Sequence, residues 1–204
     1  LKAKLVAVNV LINNAGSIFA DREISCGGFE MTFAVNHLGH FLLTMSLMPL
    51  LERGQARIIN ISSAAHKMGR PDLEQQDSPK KYNAMKAYGA AKLFNIYFTQ
   101  SLAEKYKSKG ITAFAVHPGV VSTGFGAGLS GLGKVLLFLA RPFMLTPEDG
   151  AQTPVYLATA PRLNKYSGQY FKKCKPAKPG QRANDAGARE KLWEKSMQWI
   201  AGFL

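Results

Sequence analysis

Tyr88 and Lys92 are the two residues of this chain whose types and spacing point most directly to chemistry. Side chains four positions apart lie on one face of a helix, so the phenol and the ammonium can be held side by side. A fixed cation favours the phenolate and brings the pKa of a tyrosine, ordinarily about 10, toward neutral pH. Such a tyrosine can act as a general acid or base. Gly89, Ala90 and Ala91 lie between the two and leave room for a flat molecule against the helix.

Tyr82 and Lys86 have the same spacing, so only their surroundings separate the two pairs. Residues 66–82 are rich in Lys, Asp, Gln, Pro and Gly, which is typical of a long surface loop. We therefore expect Tyr82 and Lys86 to lie on a solvated surface. Tyr88 and Lys92 fall within a helix face of small and apolar residues, which favours them as the chemical pair.

Ser63 is the second candidate, because it comes directly after the predicted strand 57–61 and a preceding serine. A hydroxyl at the carboxyl end of a parallel strand lies where ligands bind in open α/β sheets. It can donate a hydrogen bond to a developing oxyanion on a substrate carbonyl. The alternative is a serine that only caps a turn or a helix.

The elements that must position these residues alternate between strand and helix. Short apolar runs predict strands at 10–12, 57–61, 111–116 and 169–171. Helical periodicity predicts helices at 29–51, from the polar loop to residue 109, at 147–158 with Thr146 as its cap, and at 188–204. This alternation predicts an α/β fold with a mostly parallel sheet, and the length suggests that 1–204 is a single domain. Three or four strands do not complete such a sheet, so we expect its N-terminal strands to be absent from the chain.

Five motifs in order resemble the short-chain dehydrogenase/reductase family, and the resemblance covers the chain from residue 10 onward. They are Asn13-Asn14-Ala15-Gly16, the segment Val35-Asn36-His37-Leu38-Gly39-His40-Phe41, Ser63, the pair Tyr88 and Lys92, and Pro118-Gly119-Val120-Val121-Ser122-Thr123. The Asn-His-Leu-Gly-His-Phe-Leu-Leu-Thr run, the 25-residue gap from Ser63 to Tyr88 and the segment from Val116 to Val121 are similar to the retinol-dehydrogenase-like branch.

The resemblance implies an α/β fold with a Rossmann-like doubly wound parallel sheet in three layers. It also implies a catalytic set of Asn36, Ser63, Tyr88 and Lys92. Tyr88 would give or take the proton, and Ser63 would hydrogen-bond the substrate oxygen. Lys92 would lower the pKa of Tyr88 and hold the hydroxyls of the nicotinamide ribose. Asn36, close to Gly39, would distort its helix and hold a water in a proton relay with Lys92. The substrate would be a hydrophobic alcohol, aldehyde or ketone, retinoid-like or lipidic.

The resemblance also implies a nicotinamide cofactor, with NADP(H) favoured and NAD(H) possible. The residues that would bind it are Asn14, Ala15, Gly16, Tyr88, Lys92, Pro118, Gly119, Val121 and Thr123. Residues 124–145 match the position of a substrate lid, although an ordinary core helix fits them too. No metal is expected, because the four histidines lack metal-ligand spacing with carboxylates or thiols.

The glycine-rich turn that cradles a pyrophosphate after the first strand of a dinucleotide fold is missing from the chain. The glycine-rich stretches 124–128 and 128–133 follow the third predicted strand, so we reject them as that turn. Roughly 70–90 residues of sheet and cofactor site would then be absent. Either the chain is part of a longer protein, or another chain supplies the first half, or the protein is a scaffold that binds no cofactor.

The net charge is +13, and residues 161–204 form a basic segment with ten basic and three acidic groups. Such a segment could contact a membrane surface, nucleic acid or an acidic partner, or be a solvated surface. Nucleic acid is disfavoured, because no aromatic residues interleave the charges and no recognition motif is present. The remaining alternative is an accessory subunit, and a homo-oligomer or a larger assembly is possible.

Composition bounds the compartment only loosely. Cys26 and Cys174 lie far apart and read as reduced thiols, so we expect an intracellular reducing compartment, either cytoplasmic or at an organelle or endoplasmic reticulum membrane. No signal peptide is visible, and the uncharged apolar stretches are expected to fall short of the ~20 residues that a membrane span needs.

Overall fold

The computed structural model describes residues 5–73, 82–119 and 144–204. A five-stranded sheet has its strands in the order β1-β2-β3-β4-β5, with the first four parallel and β5 antiparallel to β4. The strands are β1 Val10–Asn13, β2 Arg57–Ile61, β3 Thr112–His117, β4 Tyr170–Lys172 and β5 Lys175–Pro176. The main helices are α1 Met31–Arg53, α2 Ala84–Lys105, α3 Pro147–Thr159 and α4 Ala186–Ile200.

The alternation of side chains along the central strands builds two cores. On β3, Ala113 and Ala115 pack in the core that α1, α2 and α4 cover. Phe114 and Val116 point to the opposite face, where α3 contributes Leu157. Helices therefore lie on both faces of the sheet, which confirms the predicted three-layer α/β fold.

All the predicted strands and helices are present, with shifted ends. The predicted cap at Thr146 is confirmed, since its Oγ1 accepts a hydrogen bond from the Asp149 amide at 3.1 Å. The sequence analysis missed β5 and the tight turn before it. Lys173 and Cys174 occupy that turn with φ of 51° and 56°, a conformation for which glycine or asparagine is the usual signal.

Helix α1 corrects the expectation about apolar stretches. It is 23 residues long with a mean hydropathy of 1.2, which is long and apolar enough to cross a membrane by length and composition alone. Its side chains, Phe33 and Phe41 among them, pack into the core, and more than half of the segment is buried. The helix that carries Asn36 is therefore as apolar as a membrane span because the fold buries it.

Strand β1 lies at an edge of the described sheet. Val10 is 39% and Ile12 40% exposed, so the prediction of a fully buried strand is wrong for these two side chains. Within the described ranges β1 pairs only with β2, and the face of β1 that carries them has no covering helix. The expectation that this sheet requires further neighbours agrees with the exposed strand.

The two tryptophans of α4 are packing residues. The Trp193 ring centroid lies 5.1 Å from that of Phe41, and that of Trp199 lies 5.4 Å from that of Phe29. His37 is fully buried within the same aromatic cluster, with Nε2 3.2 Å from Ser196 Oγ. α4 is thereby fastened to α1.

The buried His37 predicts a loss of stability in acid. Burial lowers the pKa of its imidazole to about 3, whereas the unfolded group titrates near 6.5. Between those values the unfolded state binds more protons, so the free energy of unfolding falls as the pH drops below about 6.5. This group should contribute about 1 kcal/mol per pH unit, measured by urea unfolding of the full-length protein.

The matched variant is His37→Phe, which keeps an aromatic ring and cannot titrate. Its free energy of unfolding should depend less steeply on pH than that of the wild type, whatever its absolute stability. Equal slopes in the two proteins would contradict the assignment.

Candidate active site

The polar motifs converge at the carboxyl edge of the sheet. Residues 14–16 follow β1, Ser62 and Ser63 follow β2, and Pro118 and Gly119 follow β3. Because the first four strands are parallel, these segments meet at one edge, where ligands bind in open α/β sheets. Val121 and Thr123, and residues 124–143 of the expected lid, lie outside the described residues.

Lys92 is the most deeply placed charge at this edge, with 2% of its surface exposed. Its Nζ donates a hydrogen bond to the Ile61 carbonyl at 3.2 Å, and Ser62 Oγ donates to the Lys92 carbonyl at 2.8 Å. Burial lowers the pKa of the ammonium to about 8. At pH 7 the group therefore remains a cation, fixed between α2 and the end of β2.

Tyr88 lies one helical turn earlier on the same face of α2. The Lys92 Nζ is 5.4 Å from the centroid of its ring, which confirms the side-by-side placement predicted from the spacing. Burial raises the pKa of the Tyr88 phenol to about 12, while a hydrogen bond with Ser63 acts in the opposite direction. Contrary to the expectation, the pKa of Tyr88 is therefore not lowered overall, because the burial of the phenol dominates, and the structure favours its protonated form.

Ser63 has two roles. Its side chain hydrogen-bonds Tyr88, and its Oγ also accepts from the Ala65 amide at 3.2 Å, at the start of the short 3-10 helix Ala64–Lys67. The alternative interpretation, a serine that caps a helix, is therefore correct as well: the same side chain caps the 3-10 helix and contacts Tyr88. The cap fixes where the hydroxyl points.

Asn36 sits where α1 departs from α geometry, as its position near Gly39 predicts. Ala34–Leu38 form a π turn, and the Gly39 amide donates to the Ala34 carbonyl five residues back. The Asn36 Nδ2 donates to the carbonyls of Thr32 and Ser17, at 2.8 and 2.7 Å. The side chain is thus locked between its own helix and the segment after β1.

Gly16 completes a small cradle with Asn36 and Lys92. A Cβ at position 16 would lie 2.4 Å from Asn36 Oδ1 and 3.3 Å from Lys92 Nζ. The Asn36 Oδ1 is buried and has no hydrogen-bond partner among the described residues. A free acceptor beside a buried ammonium, lined by a residue without a side chain, fits a ligand that carries hydroxyl groups, such as the ribose of a nicotinamide nucleotide.

The structure also describes four of the other predicted cofactor residues. Asn14 and Ala15 are exposed, and Pro118 and Gly119 are partly buried at the end of β3. Gly119 has φ of 103°, which explains a glycine at that position. No three metal-ligating side chains come together in residues 5–73, 82–119 and 144–204.

Tyr82 requires a correction. Its hydroxyl donates to the Phe19 carbonyl at 2.8 Å and lies 3.1 Å from Thr32 Oγ1, so it is not on a solvated surface. Burial raises its pKa to about 12. Lys86 is exposed, as expected. Composition alone does not show this anchor, because its partners lie on other segments of the chain.

Sequence reasoning missed the backbone contact that sets the distance between Ser63 and Tyr88. A Cβ at Gly69 would lie 2.3 Å from the Gly89 carbonyl oxygen, and one at Gly89 would lie 2.8 Å from the Ala65 carbonyl oxygen. Only glycines allow the segment after Ser63 to approach α2 so closely. The signal in the sequence was a glycine inside a helix pattern, directly after the candidate tyrosine.

His40 was also missed, one turn after Asn36 on α1. It is 6% exposed, and burial together with the charge of Lys92 lowers the pKa of its imidazole to about 4. A neutral histidine therefore lies close to the Lys92 ammonium. In the sequence, this histidine is part of the segment 35–41 and lacks metal-ligand spacing, and neither pattern indicates a contact with Lys92.

Comparisons with known proteins identify the family of the chain. The sequence profile of a family described as short chain dehydrogenase matches residues 1–130. Retinol dehydrogenase 12 of Mus musculus is 41% identical over 194 residues, covering 95% of this chain and 61% of that protein. Retinol dehydrogenase 14 of the same species is 39% identical over 196 residues, covering 92% of this chain and 57% of that protein. The chain thus spans about three-fifths of the length of these relatives.

Solved structures support the fold. A crystal structure of an uncharacterised protein from Mycobacterium paratuberculosis superposes with a TM-score of 0.74 at 28% identity, covering 98% of this chain and 69% of that one. An NADPH-bound carbonyl reductase from chicken fatty liver superposes with a TM-score of 0.60 at 24% identity, covering 87% of this chain and 68% of that one. The second likeness concerns the fold alone.

The glycine contact yields a test on stability. Replacing glycine by alanine inside a helix normally stabilises a protein by about 0.5–1 kcal/mol. Gly89→Ala should instead lower the free energy of unfolding, because the new Cβ would meet the Ala65 carbonyl oxygen. Gly187→Ala on α4 is the matched control, since its Cβ would meet nothing closer than 3.6 Å. Urea unfolding of both variants measures the two free energies of unfolding. A Gly89→Ala protein as stable as the Gly187→Ala control would refute the contact.

Proposed function

Because the chain belongs to the short-chain dehydrogenase family, we propose that it carries the catalytic part of an NAD(P)(H)-dependent oxidoreductase that interconverts an alcohol and a carbonyl compound. The observation that carries the proposal is the meeting of Ser63, Tyr88 and Lys92 beside the Asn36 π turn. A fold can persist without its chemistry, but a buried lysine beside a buried tyrosine has a cost that packing alone does not repay.

In this proposal Tyr88 is the proton donor during carbonyl reduction. The phenol is protonated at neutral pH, and its hydrogen bond to Ser63 places both hydroxyls toward one point. A carbonyl oxygen there would accept from Ser63 and take its proton from Tyr88. The Lys92 ammonium, 5.4 Å from the ring, favours the phenolate that remains after transfer.

The cofactor supplies the hydride when it is bound. The cradle of Gly16, Asn36 and Lys92 would hold the hydroxyls of its nicotinamide ribose, through one orphaned acceptor and one buried donor. We favour NADP(H), with NAD(H) as the alternative, on the resemblance to the retinol-dehydrogenase-like branch. The pyrophosphate would be held by residues outside these 204, in the remainder of a longer protein or in another chain.

We propose a hydrophobic alcohol, aldehyde or ketone as the substrate, retinoid-like or otherwise lipidic. Its support is the identity of 41% and 39% to proteins named retinol dehydrogenases. The residues that would distinguish one lipidic carbonyl from another belong to the expected lid at 124–145, most of which lies outside the described residues.

An accessory subunit of a larger assembly is the second candidate, and the basic segment 161–204 is the feature that favours it. It predicts that the assembled protein binds no dinucleotide. Stoichiometric NADPH binding by calorimetry would exclude a purely structural role.

Tyr88→Phe in the full-length protein should lower carbonyl-dependent NADPH oxidation by at least about 100-fold, because the proton donor is removed. Tyr82→Phe should keep most of the activity. It should instead lower the free energy of unfolding by about 1 kcal/mol, through loss of the hydrogen bond to Phe19. Equal losses of activity in the two variants, or no loss in either, would overturn the assignment of Tyr88.

A membrane surface is proposed as the partner of the basic segment. Lys172, Lys173 and Lys175 are exposed on the hairpin of β4 and β5. Lys172 pairs in register with His117, so the hairpin projects at the same edge of the sheet as the site. A lipid surface attracts such cations, and a greasy substrate would be reached there.

Changing these three lysines to glutamate should weaken co-sedimentation with phosphatidylserine vesicles at low salt, because the attraction is electrostatic. Lys107, Lys109 and Lys165 are exposed on elements that flank the start of β3, at the opposite end of the sheet, and glutamates there form the matched control. Equal sedimentation of the two triple variants, or no binding of the wild type at low salt, would end the proposal.

A further inference from the structure

His66 lies three residues after Ser63 and is 1% exposed, yet the proposed reaction does not use it. Its Nδ1 is 2.5 Å from the Ser63 carbonyl oxygen, and its Nε2 is 2.8 Å from the Gly180 amide nitrogen. A backbone amide can only donate, so Nε2 is the acceptor and the proton is on Nδ1. The neutral imidazole thus bridges the turn after β2, which carries Ser63, and the segment before α4.

The surroundings of His66 reinforce this bridge. Its ring packs against Tyr170 of β4 at a centroid distance of 5.1 Å. The Arg182 guanidinium donates to the carbonyls of Lys67 and Gly69, at 3.2 and 3.3 Å. A Cβ at Gly180 would lie 3.4 Å from His66 Nε2, so the backbone at residue 180 packs directly against the imidazole ring.

We propose that His66 is a positioning residue for Ser63: through its neutral Nδ1–H tautomer it ties the Ser63 backbone to the Gly180 amide and so holds the Ser63 hydroxyl against Tyr88. The inference rests on the proposed function. It assigns a role in the reaction to the segment 180–182, which reaches the turn after β2 through His66 and Arg182.

Protonation would open this link. An imidazolium has hydrogens on both nitrogens, so Nε2 would present a donor to the Gly180 donor. The charged and titratable groups facing His66 are Lys67 on its own turn, Arg182 on the 180–182 segment, His117 on β3 and Tyr170 on β4. Burial and the Lys67 charge lower the pKa of His66, so the link is closed at neutral pH and opens only in acid.

The test is a double-mutant cycle on the full-length enzyme with NADPH and a hydrophobic aldehyde. His66→Phe keeps the ring against Tyr170 and removes both hydrogen bonds, and we expect kcat to fall about 10-fold or more. In the Ser63→Ala background the same change should cost less than about 2-fold, because there is no hydroxyl left to position. His66→Gln, which can still accept from Gly180, should recover part of kcat and flatten the acid limb of the pH profile.

The result that would overturn the inference is an equal loss from His66→Phe with and without Ser63, which marks a general structural effect. Hydrogen exchange of the Gly180 amide gives a readout that needs no activity, since its protection should be lost in His66→Phe and retained in Ser63→Ala. Unchanged protection in His66→Phe would also overturn it. A wild-type protein without any reductase activity would instead defeat the proposed function, while the exchange experiment would still report on the link.

Discussion

The arrangement of the site depends on the burial of one ammonium, that of Lys92. No carboxylate pairs with it in the described part of the chain, and its hydrogen bond is to the Ile61 carbonyl. A buried charge in this setting is unfavourable unless polar groups are fixed around it. The end of β2, the π turn of α1 and the Tyr88 ring surround the ammonium. The strand, the helix and the site therefore all contribute to the polar environment that replaces water around Lys92.

A buried polar chain supports this arrangement beneath the site. Asn13 donates to Thr44 and Asn60, and Asn60 donates to Thr99, at 2.8 to 3.0 Å. These bonds join β1, β2, α1 and α2 behind Lys92. Hydrogen bonds between buried side chains favour one alignment of the elements that they join, although the Asn13 Oδ1 has no partner among the described residues.

Local spacing explains what could be predicted and what could not. The helical placement of Tyr88 over Lys92 follows from their separation of four. The distortion at Asn36 is what the family resemblance implies. The anchor at Tyr82 depends on the Phe19 carbonyl, 63 residues away, and the raised pKa of Tyr88 depends on burial by the whole fold. Neither is a property of a short window of sequence.

Strand β1 has one further consequence. Its outer backbone amides and carbonyls form an open rim in the described sheet, and the exposed Val10 and Ile12 make that rim apolar. Such a rim is a template on which another extended chain can add. Whatever strand docks there also stiffens the segment that follows β1, whose Gly16 forms a wall of the cradle. The pairing of this edge and the shape of the cradle are therefore coupled.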